Sequence, residues 1–254
     1  MAGAAPIAVF ADVHGNLGAL DAVLEDAAAA GAVQFIDLGD CVAGPLDPRG
    51  TAERLMALGA ITVLGNHDRE VLSDEPGPSA AFARAELDRD QLAWLDALPP
   101  TAEPVAGVLA CHGSPTDDTC YLLETVGASG TRPRDPAGVR ALLGGVATEV
   151  VLCGHTHLAR VLPLAGGPLV VNPGSVGLPA YDHSLPFAHV MESGSPHARY
   201  ALLSRSGGKW QVQLRAVPYP WDRAAALARA HGREDWAVAL ETGLTEMTIG
   251  SARG

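Results

Sequence analysis

The first third of the chain alternates short apolar runs with segments of helical spacing. The apolar runs, predicted as buried strands, are 7–11, 33–39 and 61–65. Segments 17–30 and 51–59 lie between them and place apolar residues on one helical face. Asn16 is a suitable N-cap for the first helix. This order of strands and helices predicts parallel strands joined by helical crossovers.

The rest of the chain shows short apolar runs divided by Gly/Pro turns. The predicted strands are 108–113, 149–155, 159–164, 168–174, 199–205 and 209–217. The later strands follow one another closely enough to form antiparallel hairpins. Three stretches show neither the helical nor the strand periodicity of apolar residues: 73–80, 113–138 and 177–198. They are predicted to be irregular loops of the kind that serve as lids or binding loops. Residues 221–243 are predicted to be a helical pair broken at Gly232.

A parallel half that continues into an antiparallel half without a linker predicts an α/β fold of two mixed β-sheets packed face to face, with helices outside. We therefore expect one domain over residues 1–254, with a C-terminal helical extension at about 220–243. A hydrophobic content of 48% is enough for a buried core at this length. The absence of a long apolar run or a basic N-terminal region predicts a protein without a membrane span or signal peptide.

Charge and cysteine usage narrow the functional classes. The formal net charge of −12 argues against binding to polymeric nucleic acid, which depends on basic residues. A small phosphate-ester or nucleotide substrate stays compatible with this charge, because bound divalent cations can reverse the local field. The four cysteines form no C-x-x-C pair, which favours reduced thiols and a cytoplasmic location. The sequence does not determine the oligomeric state.

Polar residues that can bind metals cluster where the predicted strands end. The groups are D-V-H-G-N, G-D, G-N-H-D, a lone histidine and G-H-T-H. An open α/β sheet places its ligand crevice beyond the carboxyl ends of its strands, so these groups are expected to meet. They provide seven candidate ligands: Asp12, His14, Asp40, Asn66, His112, His155 and His157.

This mixture of nitrogen and oxygen donors predicts transition-metal ions. Imidazole and carboxylate ligands together favour manganese, with iron, zinc, nickel or cobalt as alternatives. Seven ligands exceed the needs of one open tetrahedral site and suit two divalent ions that share a ligand. Such a pair, about 3.5–4 Å apart, can hold a bridging hydroxide and promote in-line displacement at phosphorus. Asp40, on the middle of the three predicted parallel strands, is the expected shared ligand.

The five motifs, in this order over about residues 7–177, resemble those of the calcineurin-like metallophosphoesterase superfamily. The flanking sequences are similar to the small single-domain bacterial and archaeal phosphodiesterase branch. The resemblance implies a four-layer α/β/β/α sandwich. It also implies two ligand sets, the first being Asp12, His14, Asp40 and His157, and the second Asp40, Asn66, His112 and His155.

The resemblance gives His67 a different role, as a histidine that contacts the phosphoryl group and protonates the leaving oxygen. Protein serine/threonine phosphatases of the superfamily also carry an Asp-Arg pair after G-D, whereas this chain has Ala43 and Gly44 there. A substrate-binding arginine must therefore come from elsewhere or be absent. Asp68 has two interpretations, a helix cap or a catalytic group.

The predicted function is dinuclear metal-dependent hydrolysis of phosphate esters, with phosphodiesters favoured. Phosphomonoesters and nucleotide or dinucleoside polyphosphates are the alternatives within this enzyme class. A catalytically silent scaffold of the same fold is the alternative from another class. Candidate substrate-binding residues are Arg132 and Arg134, which suit a second phosphate or the remote end of a nucleotide, and His183, for which solvent exposure is the simpler interpretation.

Overall fold

A computed structural model describes residues 5–251 of the chain. The strands are β1 (Ile7–Phe10), β2 (Gln34–Asp37), β3 (Ile61–Thr62), β4 (Thr101–Val105), β5 (Val108–Cys111), β6 (Glu124–Gly127), β7 (Gly130–Pro133), β8 (Val150–Leu152), β9 (Arg160–Pro163), β10 (Leu169–Asn172), β11 (Ala180–His183), β12 (His189–Glu192), β13 (Ala198–Ser206) and β14 (Lys209–Val217). The helices are α1 (Leu17–Ala29), α2 (Pro48–Leu58), α3 (Asn66–Val71), α4 (Pro78–Glu86), α5 (Arg89–Asp96), α6 (Pro136–Leu142), α7 (Trp221–Ala230), α8 (Glu234–Thr242) and α9 (Glu246–Ser251).

Two five-stranded mixed sheets form the centre of the fold. The first has the order β14-β13-β1-β2-β3 and the second β4-β5-β8-β10-β9. Strands β1, β2 and β3 run parallel, as do β5, β8 and β10, so each sheet sends three carboxyl ends to one edge. The predicted pair of mixed sheets flanked by helices is confirmed.

The two sheets pack face to face through one apolar cluster. Val9 and Ile36 of the first sheet share it with Val108 and Val150 of the second. Strand β1 is buried on both faces, because its alternate residue Phe10 packs towards the α1 side. This burial on both faces explains why the strand is a continuous apolar run.

The first helix begins where the sequence predicts it. Asn16 caps α1 by accepting a hydrogen bond from the backbone N–H of Ala19. On the outer face of the second sheet, Val139 of α6 packs in a separate apolar cluster with Val151 of β8. Helices therefore cover both outer faces.

Two predictions about local structure were wrong, and several elements were not predicted. The stretches expected to be irregular contain the hairpins β6-β7 and β11-β12 and the first residues of α4 and α6. The later strands do form antiparallel hairpins, β9-β10 and β13-β14, as predicted. The second half is nevertheless not one antiparallel unit, because β5, β8 and β10 pair in parallel and β13 and β14 complete the first sheet. Helices α4 and α5 were not predicted.

The C-terminal helical pair is present, and it breaks near Gly232, whose φ is 74°. Helix α8 packs against the β11-β12 side of the molecule through a small apolar cluster. The single domain over residues 1–254 stays a prediction, and residues 1–4 and 252–254 of that range lie outside the described residues. Among the described residues, no helix is long and apolar enough to cross a membrane.

Candidate metal centre

The strand-end residues have an uncommon backbone conformation. Among the described residues, five that are not glycine have positive φ, and all five belong to the predicted ligand set: Asp12 (φ 56°), His14 (φ 50°), Asp40 (φ 57°), His155 (φ 67°) and His157 (φ 59°). Side chains disfavour this left-handed region, at a cost of order 1–3 kcal/mol each, so such residues concentrate at functional sites. Backbone hydrogen bonds between strand ends hold them, including Asp12 N–H to Gly39 O at 2.9 Å.

The ligand atoms form two neighbouring groups. Asp12, His14 and His157 make up the first, and Asp40, His112 and His155 the second. Within each group the ligand atoms lie within 4.8 Å of one another. Each set of donors is therefore compact enough to surround one metal ion.

The two groups touch each other, and the predicted amide ligand lies beside the second. His14 Nε2 is 3.8 Å from Asp40 Oδ2, and His112 Nε2 is 4.0 Å from Asp12 Oδ1. Asn66 Oδ1 lies 3.0 Å from His112 Nε2. The structure thus brings all seven predicted ligands together, with Asp40 between the two groups.

Backbone carbonyls orient three of the imidazoles. The Nδ1 atom of His14 donates to Ala43 O at 2.8 Å, that of His112 to Leu38 O at 2.7 Å and that of His157 to Leu178 O at 2.6 Å. A proton fixed on Nδ1 leaves Nε2 free to bind a metal. His155 is turned the other way, because its Nε2 bonds Thr119 O at 3.1 Å.

Burial keeps most of these imidazoles neutral, which is the form that binds metals. It lowers the pKa of His14 to about 4 and that of His155 to about 3, and it lowers the pKa of His157 well below its ordinary value. His112 differs: burial lowers its pKa, but the Asp40 carboxylate outweighs burial and raises the pKa to about 10. The proton on His112 therefore places a positive charge beside Asp40. When a metal ion is bound, the ion would provide this positive charge in place of the proton.

The carboxylates are suited to cations for the same reason. Burial raises the pKa of Asp12 to about 8, with a further contribution from the neighbouring Asp40 charge. Asp12 Oδ2 is buried and has no hydrogen-bond partner among the described residues. An unpaired buried carboxylate oxygen is costly, and a divalent cation would satisfy it. The donor set therefore fits two divalent ions.

His67 lies next to the ligands but belongs to neither group. Its backbone N–H donates to Asp40 Oδ1 at 2.8 Å, and its ring lies 5.6 Å from that of His14. Its Nδ1 bonds Glu70 Oε2 at 2.9 Å, and Glu70 Oε1 accepts from the Gly77 N–H at 2.8 Å. Burial lowers the pKa of His67, but Asp40 and Glu70 outweigh burial and raise it above its ordinary value. A histidine held in this way can carry a proton at Nε2.

Gly65 and Asp68 shape the turn that carries Asn66 and His67. A Cβ atom on Gly65 would lie 2.2 Å from Asp40 Oδ1, so only glycine fits there. Asp68 accepts hydrogen bonds from Gly65 N–H at 3.2 Å and Cys41 N–H at 2.8 Å. The N-cap of α3 is therefore Gly65 and not Asp68, as one prediction had it. Asp68 lies in the first turn of the helix, where its carboxylate reaches back to the N-cap N–H as in a capping box and also fixes the loop after Asp40.

A cavity of about 230 Å³ opens above the ligands. His67, Asp40 and three of the candidate ligand histidines line its inner part. His183 lines the cavity, whereas Arg132 lines a separate surface pocket and Arg134 donates to Tyr121 O. The structure does not bring the two predicted arginines to the site.

The outer part of the cavity contains residues that sequence reasoning missed. They come mainly from the C-terminal segment: Arg233, Asp235, Trp236, Ala239, Thr245 and Glu246. No motif marks these residues, since R-E-D-W has the spacing of an ordinary amphipathic helix start. Glu70 had a local signal that went unused, because a residue three positions after His67 on a helix lies beside it.

A family model provides the decisive comparison. The model that describes the calcineurin-like phosphoesterase superfamily domain matches residues 6–193, which include all seven ligands and His67. The chain belongs to the calcineurin-like phosphoesterase superfamily. The resemblance found in the sequence is therefore confirmed, and members of this superfamily are metal-dependent.

Three proteins from bacteria and archaea are similar to this chain. An uncharacterised protein of Methanocaldococcus jannaschii is 28% identical over 200 residues, which are 68% of this chain and 76% of the relative. The crystal structure of a metallophosphoesterase from Sphaerobacter thermophilus is similar with a TM-score of 0.74 at 24% identity, over 94% of this chain and 99% of that one. A hypothetical protein from Pyrococcus horikoshii OT3 is similar with a TM-score of 0.72 at 19% identity, over 94% and 98%. At these identities the two structures show a shared fold.

Proposed function

We propose that this protein is a dinuclear metal-dependent phosphoesterase that hydrolyses small phosphodiesters. One arrangement carries the proposal: two adjoining ligand groups lie beside a histidine that belongs to neither of them. This histidine, His67, faces the same cavity as the ligands. Asp12, His14, Asp40 and His157 would hold the first ion, and Asp40, Asn66, His112 and His155 the second. Manganese is the ion we expect first.

Two bound divalent ions would supply a water of lowered pKa and positive charge on the phosphoryl oxygens. The chain supplies the remaining functions. His67 presents a proton at Nε2 for the leaving oxygen, because Glu70 occupies its Nδ1. Glu70 is in turn fixed by the Gly77 N–H, so the ring has one preferred orientation. Asn66 adds a ligand oxygen without adding negative charge where an anionic substrate binds.

The first experiment combines metal analysis with a substrate panel. The protein would be chelated, reloaded with manganese, iron, zinc, nickel or cobalt, and tested on a bis-aryl phosphate, an aryl phosphate, cyclic nucleotides and a dinucleoside polyphosphate. We expect two ions per chain and the highest kcat/KM on a diester. Two bound ions without turnover of any ester would favour the scaffold alternative.

His67→Ala tests the role of the non-ligand histidine. A general acid matters most for a poor leaving group, so turnover of an alkyl ester should fall about 10²-fold or more, while a 4-nitrophenyl ester should lose much less. The metal content should stay at two ions, because His67 is not a ligand. Equal losses on both esters would remove His67 from proton transfer.

A further inference from the structure

Much of the outer wall of the cavity comes from the C-terminal segment, which lies beyond residues 6–193 that the family model matches. Trp236 of α8 packs its ring edge against His14, with the ring centroids 5.8 Å apart. A Cβ atom on Gly44 would lie 2.8 Å from Trp236 Cη2 and 2.3 Å from His14 O. Because Gly44 has no side chain, it leaves room for this tryptophan. Gly44 lies in the loop where protein phosphatases carry their Asp-Arg pair.

The arginine of this wall is already paired. Arg233 Nε and Nη2 donate to the two carboxylate oxygens of Asp235 at 2.9 and 2.7 Å, and Nη1 donates to Ser79 Oγ at 2.8 Å. Its guanidinium also lies over the Trp236 ring, 5.5 Å from the centroid. A bidentate pair of this kind is locally neutral, and it offers both donors and acceptors to a bound hydroxyl group.

Two further carboxylates belong to the wall. Asp182 on β11 and Glu246 at the start of α9 line the same cavity, are exposed and have no ion-pair partner among the described residues. His183 also lines the cavity, with its Nδ1 engaged by the backbone of Leu185. The Arg233–Asp235 pair contributes no net charge, so Asp182 and Glu246 leave the outer cavity negative.

Resting on the phosphoesterase function proposed above, we propose that the outer cavity selects phosphodiesters whose second alcohol is neutral or cationic and discriminates against nucleoside polyphosphates. One phosphoryl group occupies the inner site, and the rest of the substrate extends past Trp236. Additional phosphates would lie near Asp182 and Glu246, which repel them. A hydroxyl-rich or cationic group instead meets carboxylates and an aromatic surface, which attract it.

The test uses three 4-nitrophenyl esters that share one leaving group. They are 4-nitrophenyl phosphocholine, the 4-nitrophenyl ester of thymidine 5′-monophosphate, and the terminal 4-nitrophenyl ester of thymidine 5′-diphosphate. The two thymidine esters differ only by one phosphate. With manganese-loaded protein at low salt, we expect kcat/KM of the diphosphate ester to be about tenfold below that of the monophosphate ester. The difference should shrink as salt is added.

Charge removal shows whether the two carboxylates cause the preference. The double variant Asp182→Asn/Glu246→Gln should raise kcat/KM of the diphosphate ester by roughly two- to fivefold for each charge removed. The monophosphate ester should change less than the diphosphate ester, because it brings no additional phosphate near the two carboxylates. The control Glu86→Gln/Asp96→Asn removes two exposed carboxylates outside the cavity and should leave both esters unchanged.

The outcomes are distinguishable. Preferred turnover of the diphosphate ester, or a double variant indistinguishable from its control, would overturn the selectivity while leaving the phosphoesterase proposal intact. Protein with two bound ions that turns over none of the three esters would overturn the phosphoesterase proposal, and the selectivity with it.

Discussion

The inner and outer parts of the cavity both carry charged side chains, but their surroundings differ. At the inner end, Asp12, Asp40 and His112 are at most 1% exposed, and their charges shift one another's pKa values strongly. At the outer end, the side chains of Arg233 and Asp235 are 27% and 46% exposed. Water weakens the electrostatic interactions at the outer end and hardly reaches those at the inner end. In the function that we propose, the inner groups therefore determine whether a reaction occurs, and the outer groups adjust which substrate is preferred.

Packing divides the two parts of the cavity less sharply than exposure does. Around the inner site, glycines stand where any side chain would collide with backbone: a Cβ on Gly39 would lie 2.5 Å from Gly65 N, and one on Gly177 would lie 1.8 Å from Val13 O. In the C-terminal segment, a Cβ on Gly232 would meet nothing within 4 Å, whereas one on Gly243 would lie 2.1 Å from Ser195 N. Substitutions around the inner site should thus have large effects on geometry, and those in the C-terminal segment should have large or small effects according to their position.

The largest effect is expected from Asp40→Ala. This change removes the carboxylate between the two groups, and with it the acceptor of the His67 N–H. Losing a ligand shared by two ions should cost several kcal/mol of transition-state stabilisation, so activity should fall at least on the order of 10³-fold. Metal analysis should show both ions lost together. Two ions per chain in the purified variant would contradict the shared role of Asp40, and Asp96→Asn is the control for loss of a carboxylate elsewhere.

A smaller loss, with every ligand retained, is expected from Gly65→Ala. The new methyl group would collide with Asp40 Oδ1, so it should displace the turn that carries Asn66 and His67. We expect activity to fall about 10- to 100-fold, since small displacements in an active site have effects of this size. Gly18→Ala is the matched control: it lies in α1, a Cβ there meets nothing within 4 Å, and it should stabilise the protein by about 0.5–1 kcal/mol. Full activity in Gly65→Ala would show that the inner site tolerates movement.

The sequence predicted that the seven candidate ligands lie together, because their positions follow one geometric rule. Asp12, Asp40 and His112 each follow a parallel strand, and the carboxyl ends of such strands meet at one edge whatever the rest of the fold does. The wall could not be predicted in this way. Trp236 fits against Gly44, 192 positions earlier in the chain, and no local period encodes that contact.

Errors in the fold have physical reasons as well. The hairpins β6-β7 and β11-β12 have strands of four residues, too short for an alternating pattern to stand out from a loop. Helix α5 did have a readable start, because Asp88 and Gln91 form a capping box. Strand β13 pairs with β1, and the paired residues are almost 200 positions apart in the chain. Local sequence patterns therefore could not show that the last two strands belong to the first sheet.

A positioning effect at the edge of the inner site is expected from Glu70→Gln. Glutamine keeps the contact with the Gly77 N–H but removes the negative charge beside His67. We expect kcat for an alkyl ester to fall about tenfold, with KM unchanged, because His67 would hold its proton less firmly. A 4-nitrophenyl ester should be much less affected. Equal losses on both esters, or loss of bound metal, would indicate a structural role, and Glu70→Asp should recover part of the activity.

The smallest effect is expected from the double variant Arg233→Gln/Asp235→Asn, which replaces a neutral ion pair with a neutral amide pair. If the wall acts through its net charge, the ratio of kcat/KM between the thymidine monophosphate and diphosphate esters should change less than twofold. Partly exposed ion pairs contribute about 0–1 kcal/mol, so the free energy of unfolding should fall by no more than that. A decrease of tenfold or more in kcat/KM that is confined to the diphosphate ester would show that Arg233 binds the additional phosphate directly. The wall would then contribute to substrate binding at this residue through a specific contact, and not only through its net charge.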